Sequence, residues 1–211
     1  MQITEALDSL SAASGPLADR VSKVAAKYNK TQKSRIESLT RLAYLLYVIN
    51  ENDLAEQLTA PLSKIPFENN YDYWVWIEAS LVLNGTLARA RGDEPVYADA
   101  LARVLAALNT GNELQVTVKR NTHERFVRGE TLSLDKIQDA ENEGDFVTEG
   151  NQRVTYLMSL LKIQFFDKPE HYPHEKIKAD IEENVARINE IIGKIGLEKA
   201  HAIQMKSCLI Q

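Results

Sequence analysis

A chain of 211 residues with 44% hydrophobic content can bury a substantial core without covalent staples. Its 30 Asp and Glu against 25 Lys and Arg leave a formal charge of −5, which disfavours a nucleic-acid partner and favours a basic one. The single cysteine, Cys208, excludes an intrachain disulfide framework and points to a reducing compartment, so a cytoplasmic location is expected.

The first residues, MQITEALDSLSAASG, lack the basic start and apolar run of a secretory signal. Charged or amide residues interrupt every apolar run before the ~18 residues that a membrane span requires, so no membrane association is expected. Gly and Pro fall between apolar-periodic segments, which is the punctuation of helices. A first helix is expected over about Thr4 to Ala12, stopped by SGP, and Pro16 opens a second over 17–28 with Leu17, Val21, Val24 and Ala25 on one face. A third, Gln32 to Asn50, directs Ile36, Leu39, Ala43, Leu46 and Val48 or Ile49 inward, and NEND ends it. Asp53 then caps a helix from Leu54 to Lys64, closed by Pro66.

The stretch YDYWVWIEASLVL holds both tryptophans, and its apolar character runs on to Ala90, too long for one strand. Asn70 as cap, Asp72 in the first turn, Arg89 and Arg91 in the last and Gly92 as terminator define a helix that is apolar nearly all round at its start, hence central and buried. Trp74 and Trp76 are therefore assigned to the core, while Tyr71 and Tyr73 reach the helix end or the surface. The next helix, Pro95 to Asn109, carries the stripe Tyr97, Leu101, Val104, Leu105 and Leu108. Residues 112–128 are read as helix from Leu114, Val118, Thr122 and Phe126, although Leu114, Val116 and Val118 also alternate as a strand would. Ser133 caps a short helix to about Asn142, an acidic loop follows, and Val147 to Phe166 is patterned by Val154, Leu157, Met158, Leu161 and Phe165. A long last helix starts near Pro173, is striped by isoleucines, is interrupted near Gly193 and Gly196, and extends toward Leu209.

Residues 39–67 resemble one tetratricopeptide-type hairpin, with Leu39, Leu42, Ala43 and Leu46 on its first helix and Ala55 on its second. Thr59 replaces the usual aromatic, Leu62 a small residue, and Pro66 comes one position early. LAEQL is echoed by YADAL 43 residues later, which is not the tetratricopeptide spacing. The resemblance implies stacked antiparallel hairpins and a protein partner. The expected fold is thus all-α: antiparallel helical hairpins in a compact tetratricopeptide-like bundle with a long C-terminal helix, one domain over 1–211 that subdivides near 110.

His171 and His174 lie in DKPEHYPHEK beside Asp167, Glu170 and Glu175, a short-range set of N and O donors, but Pro173 breaks the helix between them and a surface turn is the plainer reading. His201 and Cys208 share a helical face at a separation of about 10 Å, beyond a shared hydrogen bond. His123 falls among Lys119, Arg120, Arg125 and Arg128 and reads as a solvated basic face. DAENEGDFVTEG approaches a calcium loop, yet its twelfth position is Gly150 and glutamates stand where shorter acids are preferred. With no phosphate loop, hydrolase elbow or cysteine ligand set, no cofactor, metal or catalytic residue is assigned.

What remains is an acidic run, Asp135, Asp139, Glu141, Glu143, Asp145 and Glu149, which with Tyr71 and Tyr73 forms the candidate partner-binding set. The leading expectation is a non-enzymatic protein that binds another protein, in one concrete form a bacterial immunity-type inhibitor of a basic toxin. The alternatives are a helical adaptor of a larger bacterial assembly, and an enzyme whose site assembles from dispersed histidines and carboxylates.

Overall fold

The structure is a computed structural model and describes residues 2–12, 14–19, 31–67, 71–197 and 199. Among them every regular element is helical: α1 (Ile3–Ser11), α2 (Gln32–Val48), α3 (Asn52–Ser63), α4 (Tyr71–Ala90), α5 (Glu94–Ala106) with a 3₁₀ turn at Ala107–Asn109, α6 (Glu113–Val127), α7 (Asp135–Glu143), α8 (Phe146–Phe166) and α9 (His174–Ile195). The protein is all-α, and 112–128 resolves to helix despite its valines and threonines. Most of the expected helix over 17–28 lies outside the described residues, as does the extension toward Leu209 with His201 and Cys208.

Helix ends follow local chemistry. Asn50 takes the left-handed conformation (φ 61°), and the Glu51 N–H donates back to the Leu46 carbonyl at 2.8 Å. Gly92 (φ 81°) and Gly144 (φ 68°) stop α4 and α7 in the same way. The start of α3 differs from expectation: Glu51 occupies the cap position without a side-chain cap bond, and Asp53 lies inside the first turn, where its charge still suits the helix dipole.

Two compact units divide the chain, Met1–Glu124 and Arg125–Gln211, so the boundary falls inside α6 rather than near 110. In the first unit α4 packs against α2, α3 and α5, while α1 rests on α3 and α2. Arg91 pairs with Glu56, and Asn84 donates to Thr59 at 3.4 Å, so α4 ascends as α3 descends. The core is aliphatic through Ile36, Leu39, Leu42, Leu46, Leu58, Leu62, Ile77 and Leu81, which confirms the inward face expected of the helix over 32–50. Leu105 departs from its expected stripe and is 44% exposed, whereas Val104 is buried.

In the second unit α8 packs against both α7 and α9. Contacts from Glu149 to Arg187 and from Arg153 to Asn184 run α8 and α9 antiparallel. Val154, Leu157, Leu161 and Phe165 of α8 and Ile177, Ile181, Ile188 and Ile191 of α9 are all buried. Gly150 permits the approach, because a Cβ there would come within 3.2 Å of Ile191 Cγ2.

Candidate functional site

In the first unit, the polar side chains that sequence alone leaves scattered converge on α4. Trp74 and Glu78 stand one turn apart on that helix, and Lys119 and His123 stand one turn apart on α6. The Lys119 ammonium lies 5.7 Å from the Trp74 ring centroid and donates to both the carbonyl and the hydroxyl oxygen of Thr110 at 2.9 Å. His123 Nε2 contacts the Glu78 carboxylate. Lys119 is 1% exposed and His123 3%, so the solvated basic face expected for them is corrected: both point inward. The reason is Glu78, a carboxylate 45 residues away that is itself buried and supplies the charge partner. Burial pulls the Lys119 pKa down, and the negative charge of Glu78 opposes that pull.

Further polar contacts continue toward α2. Thr40 and Ser80 share a hydroxyl hydrogen bond of 2.8 Å, and the buried Tyr44 hydroxyl donates to the Ala79 carbonyl at 3.0 Å. Burial raises the Tyr44 pKa well beyond its ordinary value, and the charge of Glu78 adds to the effect. Arg41 pairs with Glu37 at 3.0 Å within α2 and stacks its guanidinium 4.7 Å from the Trp76 ring centroid. Trp74 is buried as expected, but Trp76 is only half-buried beneath Arg41, which corrects its placement in the core. Tyr73 is half-buried, and the Tyr71 side chain lies outside the described set.

The acidic segment separates into internal and external members. Glu149 is 1% exposed; Arg187 binds both its oxygens at 2.6 and 2.9 Å, and Arg153 Nε donates at 2.8 Å. Burial opposes its ionisation, yet the hydrogen bonds from Arg187 and Arg153 hold its pKa below the ordinary carboxylate range. Glu141 joins the network through Arg153, and Asn184 closes it by accepting from Arg153 at 3.2 Å. Asp145 caps α8, accepting from the Val147 and Thr148 amides at 3.0 and 3.1 Å and from the Thr148 hydroxyl at 2.6 Å. The Thr148 hydroxyl bond leads the contributions that lower its pKa. The expected acidic loop is therefore only the joint between α7 and α8. Asp135, Asp139 and Glu143 alone of the six are exposed.

Around the histidine turn, His174 Nε2 lies 2.9 Å from Asp167 Oδ1, and His171 is exposed. Tyr172 and Lys176 both donate to Asp180, the latter at 2.7 Å, and that bond leads the contributions raising the Lys176 pKa. Among the described residues no three His, Cys, Asp or Glu side chains converge as a metal site would require. No helix of the described residues is long and apolar enough to cross a membrane.

Sequence reasoning missed Glu78, Lys119 and His123 as a group. The available signal was a lone glutamate in the apolar heart of α4, facing a lysine and a histidine at helical spacing elsewhere. No curated protein and no solved structure matches the chain. Residues 1–190 match the family described as a family of unknown function, DUF6707, and the chain belongs to that family.

Proposed function

We propose that this is a non-enzymatic protein that binds a basic partner protein through the outer face of α7. The supporting observation is a single-file stripe of carboxylates: Asp135, Asp139 and Glu143 follow one another at four-residue intervals, all exposed and without an ion pair to a described residue. Like charges one turn apart weaken an isolated helix by about 0.2–0.5 kcal/mol per pair. Glu143 also lies at the negative end of the helix dipole, which adds to the penalty. A cationic surface laid along α7 relieves both terms and gains from long-range attraction.

The test compares the protein with its Asp135→Asn, Asp139→Asn, Glu143→Gln variant as bait in native extract, followed by association kinetics with the captured protein at two salt concentrations. Folding should be retained, while the association rate falls and its salt dependence flattens. An unchanged on-rate would remove α7 from the interface. In the narrower reading, an immunity-type inhibitor, the captured protein is a basic toxin whose activity the bound protein blocks. Capture of several subunits of one assembly would favour an adaptor instead.

A further inference from the structure

We propose that the outer face of α5 is a self-association surface, on which a second copy of this chain docks antiparallel about a two-fold axis. This helix turns small residues inward and large ones outward. The side chains it buries are Ala100 and Val104, while Leu101 is only half-buried and Leu105 is 44% exposed. At about 100° per residue, Ala98, Leu101, Ala102 and Leu105 share one face, directed away from the buried pair, and both of its alanines are exposed. Among the described residues α5 packs against α4, and no helix is packed across this opposite face. A continuous apolar strip left in water marks an association site.

Charge and shape together select a second copy as the occupant. A chain of net charge −5 repels its own copies, yet this face brings no acid against another. The charged residues of α5 are Glu94 at its start and, on the flank, Asp99 and Arg103, which are of opposite sign and one turn apart. Arg103 also donates to the Ile65 carbonyl at 3.3 Å. Large and small side chains alternate so that the face is complementary to itself when reversed. With the two-fold axis between Leu101 and Ala102, Leu105 meets Ala98 of the second copy and Leu101 meets its Ala102, and the same contacts recur in the other sense. The alanines let the two helix axes approach to about 8 Å. At each end of the pairing a Glu94 carboxylate comes beside the exposed Asn109 amide of the other copy, a donor for it rather than a second acid. A helix of 13 residues is only about 20 Å long, so the face falls short of the ~800 Å² per partner of a standard interface. The dimer is therefore reversible, with dissociation in the micromolar range.

Sedimentation velocity of the full chain across the micromolar range, in about 0.15 M salt, reads the association directly. The average mass should rise with concentration toward that of two chains. Leu105→Glu and Ala98→Lys each alter an exposed side chain, so both variants should keep the helical circular dichroism of the parent while their dimers dissociate at least about tenfold more readily. Mixed together, the two should associate again, because the antiparallel register sets position 105 of one copy against position 98 of the other with opposite charges. The Asp135→Asn, Asp139→Asn, Glu143→Gln variant should dimerise like the parent, since α7 takes no part; this inference and the reading of α7 thus fail separately. Self-association through α5 is overturned by a single-chain mass at every concentration, by variants that dimerise as tightly as the parent, or by a mixture that stays monomeric.

Discussion

Glu149 and Glu143 are the same residue type in the same acidic stretch, yet one is enclosed by two guanidiniums and the other faces water. Glu149→Gln removes the charge that Arg153 and Arg187 share. The expected loss is about 2–4 kcal/mol, toward the lower end because Arg187 retains access to solvent, and urea unfolding followed by circular dichroism measures it. The direction of pH dependence follows from the depressed pKa of Glu149. Its contribution is present above the unfolded carboxylate value and is lost as pH falls through the folded one, so the second unit should weaken below about pH 4. The two tryptophans also part company. Trp74→Ala removes a ring that is 4% exposed and should lower stability by about 3–5 kcal/mol. Trp76→Ala removes a half-buried ring stacked on Arg41 and should lower it by about half as much, measured by the same unfolding midpoint. Aromatic clustering made the burial of Trp74 legible, whereas the exposure of Trp76 depended on which neighbour covered it.

Among the helices, terminators carry much of the specificity. Gly129 follows α6 at φ 72°, and a Cβ there would stand 3.0 Å from Tyr172 Cβ and 3.2 Å from the His171 carbonyl. Gly129→Ala should therefore destabilise the second unit by about 2 kcal/mol or more, combining left-handed strain with a collision. Gly92 adopts φ 81° with open space around its missing Cβ, so Gly92→Ala should carry only the conformational penalty, about 1 kcal/mol. Thermal or chemical unfolding of the two variants side by side distinguishes collision from strain. The stop of α2 at NEND and that of α4 at Gly92 were readable because turn residues act over a few neighbours. The buried face of α6 was not, since Lys119 and His123 face inward only because Glu78 approaches from another helix.

Across the molecule, each of the two compact units has its own buried apolar layer. Both tryptophans belong to the first unit, so their fluorescence reports that unit, while circular dichroism sums helices from both. In a urea titration the two signals should give separate midpoints, as independently cored units need not unfold together. Coincident curves would show that they unfold as one. Acid should act on the second unit through Glu149 and its two arginines, which join α8 to α9.

By itself the sequence determined the all-helical state, the places of most helix ends and the apolar faces of α2, α8 and α9, because capping and helical periodicity are encoded within a few turns of chain. Tertiary structure alone decided which charges became internal: Glu78 met His123 across 45 residues, and Glu149 met Arg187 across 38. A charge enters the interior when the fold brings it a partner that offsets desolvation, and that pairing is a property of distance in space rather than position along the chain.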